Sequence, residues 1–405
     1  MTSPRVDLSD PRVYEHGVPH DFFTRLRREC PVYWQPEQPP GRGFWAVTRH
    51  ADVVAVSRDT ETFSSYAGTT LLADMDDDIV HKQRMMMINM DAPDHTRQRR
   101  LVMRGFTPRM IAKLDGYVRG VCTEIVDSLA GREEADFVHD VAAQLPLAVI
   151  AELLGAPQED RDKIYDWSNR MIGFDDPELQ QPGSDGELAA IEMFSYANEL
   201  GARRRREPRD DIVTKLVQPD ENGDVLSELE FDMFFVLMAV AGNETTRNAT
   251  AGGMLAFLEH PDQWRLLRGD RSLLPCAVEE ILRWVAPVME FRRTAMRDAR
   301  IGRQDVTKGD KIILFYPSAN RDETVFTDPQ SFDIGRDPNP HLSFGGGGPH
   351  YCLGAHLARL QLRAIFETLL DRLPDLELVG PVRRLRSNFI NGTKEMRVRL
   401  NAGDS

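Results

Sequence analysis

The run Phe344-Gly345-Gly346-Gly347-Gly348-Pro349-His350-Tyr351-Cys352-Leu353-Gly354 delivers one cysteine from a glycine-rich turn to the start of a helical pattern. Four glycines let backbone approach a flat ligand closely and turn N–H groups toward sulfur. The pattern that follows, Ala355-His356-Leu357-Ala358-Arg359-Leu360-Gln361-Leu362-Arg363, would add the positive end of a helix dipole, which favours an anion by about 0.3–1 kcal/mol. Cysteine pKa falls in such surroundings, so the species expected at Cys352 is a thiolate, the form that ligates metals. The competing readings are a buried apolar cysteine, which also suits Cys30, Cys122 and Cys276, and a zinc site built from His350, Cys352 and His356. The zinc site would lack a fourth ligand nearby. A phosphate-binding loop is excluded, because no Lys-Ser or Lys-Thr follows the glycines.

Two further segments carry chemistry. Ala241-Gly242-Asn243-Glu244-Thr245-Thr246 lies inside the longest helical pattern. A mid-helix glycine costs about 1 kcal/mol against alanine, so Gly242 asks for a reason, and close approach of a ligand supplies one. The acid Glu244 and the alcohol Thr245 are a pair able to pass protons into an apolar pocket. The alternative is a kinked helix in which Thr245 bonds back to a carbonyl. In Glu280-Ile281-Leu282-Arg283 an acid and an arginine share one helix face, which in isolation reads as a solvated ion pair worth ~0.2–0.5 kcal/mol.

In this order the three segments resemble the signature of cytochrome P450, with the likeness running from about His20 to the C-terminus. Phe344 lies eight positions before Cys352 where the usual form has seven, while Gly348, His350 and Gly354 match, so the extra residue is expected to bulge the turn. Some actinobacterial members that oxidise sterol side chains carry a similarly expanded turn. The resemblance implies a mainly α fold with small β-sheets, a single haem domain over residues 1–405, and no fused reductase. It implies haem b with Cys352 as axial thiolate, framed by Phe344, Gly348 and Gly354. Donors for the haem propionates follow from family position: His95, Arg99, His350 and either Arg293 or Arg292. Glu280 and Arg283, with Arg336 as a third member, would hold the region behind the turn. Glu244 and Thr245 would activate oxygen, which speaks against a variant using hydrogen peroxide directly.

The implied activity is a monooxygenase reaction, hydroxylation of a C–H bond with one atom of O2. The substrate would be hydrophobic, such as a sterol, terpenoid or branched lipid, with tailoring of a polyketide or similar secondary metabolite as the alternative. A non-catalytic haem sensor or carrier is the reading from another class. The pocket would draw on Leu237, Val240, Ala241, Val288, Met289, Phe389 and Ile390, and on the adaptable stretch Met85-Met86-Met87-Ile88-Asn89-Met90. Electrons would come from a separate ferredoxin and an NAD(P)H-dependent ferredoxin reductase. The ferredoxin would dock on a basic patch of Arg97, Arg100, Arg104, Arg109, Arg359 and Arg363, where charge governs encounter rate more than affinity. A monomer is expected.

The elements that must position these residues are helical in the middle and extended near both ends. Phe44-Trp45-Ala46-Val47-Thr48 and Ile312-Ile313-Leu314-Phe315-Tyr316 read as strands. Amphipathic runs over 136–154, 157–171, 187–206 and 228–259 read as helices. The break over 173–186, rich in proline, glycine and aspartate, reads as a connection, and the resemblance makes it a lid over the substrate channel. With 405 residues, 41% hydrophobic and 28% charged, the chain suits one large globular domain. A net charge of −14 argues against nucleic acid as main partner. The polar opening Met1-Thr2-Ser3-Pro4-Arg5-Val6-Asp7 and four cysteines without a pairing pattern point to the cytoplasm.

Overall fold

The computed structural model of the chain describes residues 6–39, 41–172, 176–178 and 186–400. The helices that position the site are, in chain order, α1 (His50–Arg58), α2 (Asp94–Met103), α3 (Asp115–Asp127), α4 (Gln144–Leu153), α5 (Arg161–Ile172), α6 (Gly186–Arg206), α7 (Glu228–Glu259), α8 (Leu274–Val285) and α9 (Ala355–Arg372). The axis of the core is α7, whose 32 residues span about 48 Å at 1.5 Å per residue. A capping box starts it. The Ser227 hydroxyl accepts from the Glu230 N–H at 3.2 Å, and the Glu230 carboxylate accepts from the Ser227 N–H at 2.8 Å. Phe231, Phe235, Ala239, Ala249 and Phe257 are buried along it, as expected of a helix enclosed on most sides rather than amphipathic. Helices α3, α4, α8 and α9 are among the elements that supply further apolar side chains to that cluster.

A five-stranded sheet lies beside the helical body, built from β1 (Val32–Gln35), β2 (Phe44–Val47), β3 (Phe63–Ser64), β4 (Glu290–Ala295) and β5 (Lys311–Phe315) in the order β1-β2-β5-β4-β3. β2 and β5 pair in parallel, with Trp45 opposite Ile312, and the remaining pairings are antiparallel. Every residue of β5 is buried, which explains its unbroken apolar run. The strand ends one residue earlier than the sequence pattern suggests. Tyr316 instead opens a short helical turn, Tyr316–Ala319, because Pro317 has no N–H to continue a ladder.

The run over 136–154 is not one helix. It divides into an edge strand Glu134–Asp136, a wide turn Val138–Ala142 and α4, since Asp136 and Phe137 are taken by the C-terminal strand Arg397–Leu400 and its neighbour Met396. The run over 157–171 begins its α-helix only at Arg161. Of the expected lid over 173–186, most lies outside the described residues. Asp176 is described and buried, with the Lys394 ammonium 2.9 Å from its carboxylate. The N-terminal segment expected to show no signal sequence lies outside the described residues through Arg5. Among the described residues no helix is long and apolar enough to cross a membrane.

Candidate active site

The glycine-rich turn packs against the end of α1. A methyl group on Gly346 would stand 2.5 Å from the Ser57 hydroxyl, and one on Gly348 2.8 Å from the Ser57 carbonyl oxygen. Gly345, Gly347 and Gly348 adopt φ of +97°, +86° and +78°, left-handed values that side-chain-bearing residues rarely take. The eight-residue spacing therefore becomes a bulge that still closes, with the Cys352 N–H donating to the Phe344 carbonyl at 2.9 Å. Phe344 lies under the turn with the Arg359 guanidinium 4.5 Å from its ring centre. Glu279 holds Arg359 through two bonds of 2.6 and 2.7 Å and also meets His341 at 3.1 Å.

Cys352 faces a cavity whose walls come from α2, α4, α7, β4 and the turn. The Gly354 N–H, Arg99 and Arg359 all favour its anion, while the protein packed around the cavity pushes the thiol pKa up, although the side chain itself is exposed to the cavity. α9 begins at Ala355, beyond Cys352, so its dipole acts at a distance rather than in direct contact. A thiol in this place loses its proton to a bound metal rather than to the surrounding chain.

His95 and Arg99 sit one helical turn apart on α2 and reach the same cavity as Arg293 and His350. The two imidazoles stack at 4.1 Å, and burial together with the neighbouring arginines lowers their pKa values to about 4 and about 2. Between the adjacent arginines of β4, strand alternation decides. Arg293 points into the cavity, whereas Arg292 turns to the opposite face and binds Asp74 at 2.8 Å. Arg293 is 3% exposed, and its Nε has no hydrogen-bond partner. Two arginines and two imidazoles converging on one wall, one donor unpartnered, suit carboxylates. With Cys352 in the same cavity, the donor set fits a flat, iron-bearing macrocycle carrying two carboxylates. The zinc alternative fails: among the described residues no three His, Cys, Asp or Glu side chains are grouped to hold a metal ion.

On α7, Leu237, Ala241 and Thr245 form one stripe along the cavity at i, i+4, i+8. The Thr245 hydroxyl donates to the Ala241 carbonyl at 2.7 Å, so the back-bonded geometry and the cavity-facing position coexist. Glu244 is not in the cavity wall. It is 1% exposed, with Arg247 at 2.5 Å, and burial raises its pKa. Gly242 lines the cavity too. A methyl group there would stand 2.3 Å from the Ile150 side chain, so the glycine admits α4 against α7.

Val288, Met87 and Ile88 line the cavity, whereas Val240, Met289, Phe389 and Ile390 do not. Val240 falls off the α7 stripe. Met289 alternates away from Val288, its N–H donating to the Phe389 carbonyl at 2.8 Å, and Ile390 is engaged in a bridge to Val288. Sequence reasoning missed Phe234, Met238, Thr246 and Ala249, which extending the stripe by helical steps would have found, and Ile150 and Phe291, for which no local signal exists.

Glu280 and Arg283 are fully buried, not solvated. Arg283 gives two N–H bonds to Glu280, at 2.8 and 2.7 Å, and three to the carbonyls of Asn320, Pro329 and Ser331. All five donors are used. Arg336 joins Glu280 at 3.2 Å. The basic patch is also altered: Arg97 pairs with Asp224 and Glu230, Arg100 with Asp220 and Asp224, and Arg359 with Glu279. Arg109 and Arg363 are exposed and Arg104 half-buried.

Comparison with known proteins adds the following. Residues 192–376 match the family model described as Cytochrome P450. The chain is 46% identical over 400 residues to a steroid C26-monooxygenase of Rhodococcus jostii, covering 97% of this chain and 84% of that protein. A methyl-branched lipid omega-hydroxylase of Mycobacterium tuberculosis is 40% identical over 388 residues, 93% of this chain and 90% of that one. The solved structure of a Mycobacterium marinum cytochrome P450 in complex with pseudoionone superposes with a TM-score of 0.89 at 37% identity, covering 98% of this chain and 100% of the other.

Proposed function

The chain belongs to the cytochrome P450 family, haem-thiolate monooxygenases that hydroxylate hydrophobic substrates, and on that premise we propose that Cys352 is its axial ligand and that its substrate is of the steroid, terpenoid or methyl-branched lipid class. The observation that carries the ligand assignment is the shared cavity of Cys352 with Arg99, Arg293, His95 and His350. When bound, haem supplies O2 activation, and a thiolate ligand gives the iron the electron density that favours O–O cleavage.

The residues divide the remaining work. Arg99, Arg293, His95 and His350 would hold the two carboxylates of the macrocycle. The Gly345–Gly348 bulge and Phe344 would hold Cys352 in place to ligate the iron. Thr245 holds a proton at Oγ1, anchored through the Ala241 carbonyl, within the cavity where C–H oxidation takes place. Glu244, buried and held by Arg247, acts as a reserve of protons that reaches the cavity only when its side chain leaves that pair. Leu237, Ala241, Val288 and their neighbours exclude water and select an apolar substrate. The substrate class is supported by the names of the relatives, which act on a steroid and on a methyl-branched lipid. Electrons come from a separate ferredoxin and its NAD(P)H-dependent reductase.

The test is the carbon-monoxide spectrum of the reduced enzyme with and without Cys352→His. Wild type is expected to show the red-shifted band of a thiolate ligand, and the variant to lose both that band and hydroxylation even where haem is retained, because imidazole donates less charge to iron. Persistence of the band in the variant would sink the assignment.

A further inference from the structure

Glu290 and Phe291 are neighbours on β4 and face opposite ways. Phe291 lines the cavity at Cys352, whereas Glu290 lines a second cavity of about 420 Å³ on the other face of the strand. The same division recurs at Thr70 and Leu71, which line the first and second cavities respectively. Phe389, placed by the sequence in the substrate pocket, lines the second cavity, and its ring stands 5.7 Å from that of Phe291. The partition between the two spaces is thus one residue thick.

Glu290 is 1% exposed, and its Oε2 has no hydrogen-bond partner. Leaving a buried polar atom unpaired is unfavourable, so its place in a cavity wall points to a ligand that pairs it. The charges around the cavity restrict what that ligand is. Lys311 bridges Glu37 at 2.9 Å and Asp74 at 2.8 Å, and Arg292 takes Asp74 at 2.8 Å, so two cations and two carboxylates balance. Burial pushes the Glu290 carboxyl up to about 8, so near neutral pH it keeps its proton and is able to donate as well as accept. Leu71, Leu72, Met75 and Phe389 make one part of the wall apolar, beside the polar side chains of Ser9, Gln38 and Asn388. A charged ligand would meet no uncompensated opposite charge, while a hydroxyl or carbonyl oxygen finds a partner in Glu290.

We propose that this second cavity binds a neutral, largely apolar molecule bearing one alcohol or ketone, with Glu290 as its hydrogen-bond partner. The Phe291–Phe389 contact links its occupancy to the shape of the cavity at Cys352. The volume lies within the ~300–1,000 Å³ usual for small-molecule sites. The site stands apart from the ligand and substrate assignments made above.

The test blocks the first cavity and reads the second. The haem-loaded enzyme is saturated with 4-phenylimidazole, followed through its visible band, and binding of menthol, a compact neutral alcohol, is then measured by equilibrium dialysis. A single saturable menthol site is expected in wild type. Glu290→Gln, which keeps a neutral hydrogen-bonding group, is expected to stay within about threefold of it, and Glu290→Leu to weaken it about tenfold or more. No menthol binding under the block, or equal affinity in wild type and Glu290→Leu, would overturn the proposal. Should Glu290→Leu fail to fold, Met75→Trp fills the cavity from another wall and is expected to abolish menthol binding with the azole band unchanged; undiminished binding in that variant overturns the proposal equally. A fault in the Cys352 assignment would register in the visible band instead.

Discussion

At the scale of single residues, Thr245 and Glu244 are neighbours in sequence with separate environments. Successive helix positions point about 100° apart, so one reaches the cavity and the other the interior of the helical packing. Thr245→Ala is expected to leave substrate binding intact, because little volume changes, while product formed per NADH falls and hydrogen peroxide rises. Proton-transfer groups typically contribute ~10²–10⁴-fold, but water substitutes in part, so the coupling ratio is the more sensitive readout. Full coupling in that variant, with the substrate-induced spectral shift preserved, would make Thr245 only a helix residue.

At the scale of elements, the Glu280–Arg283–Arg336 group ties α8 to the two loops that lead into the glycine turn. Breaking a buried pair by removing one partner costs about 3–5 kcal/mol, since the surviving charge stays desolvated. Glu280→Ala is therefore expected to unfold at markedly lower denaturant concentration and to lose haem, with the midpoint of urea unfolding as the measurement; an unchanged midpoint would contradict the buried network. Glu279, held by Arg359 and His341, has a pKa lowered from 4.5 to about 2. A depressed carboxyl contributes its stability in full above its unfolded pKa and loses it as pH falls. Wild type is thus expected to lose stability from about pH 4.5 toward pH 2, and Glu279→Gln to show a shallower slope across that window in pH-dependent urea unfolding.

At the scale of the whole molecule, the proximal face is less basic than its arginine count suggests. Arg97, Arg100 and Arg359 are each matched by carboxylates. Reversing Arg100 would break internal ion pairs as well as change the outward field, so a clean test of ferredoxin docking uses Arg109 and Arg363, which are exposed. Arg109→Glu with Arg363→Glu is expected to slow reduction chiefly at low salt, since screening at ~0.15 M shortens the field to about 8 Å, while substrate affinity is unchanged. Equal reduction rates for mutant and wild type across a salt series, followed by stopped-flow, would place the docking surface elsewhere.

What the sequence determined by itself was the local chemistry: a cysteine after a glycine turn, an acid–alcohol pair in a long helix, and an acid–arginine pair one turn apart. These are legible because each depends on residues a few positions apart on one element, with fixed periods of 3.6 or 2. The β4 sequence offered Arg292 and Arg293 as equals, and only the pairing of that strand with β5 gave each a face. Gly242 lines the cavity as its place in the pattern suggested, but its close protein neighbour is Ile150, about ninety residues away on α4. The surroundings of Cys352 were likewise out of reach of its turn, because the cavity it faces is walled by residues from α2, α4, α7 and β4. Charge followed the same rule: composition counts arginines, but whether one faces a partner protein or a carboxylate of its own chain is fixed by contacts across more than a hundred positions, as between Arg97 and Asp224 or Arg100 and Asp220.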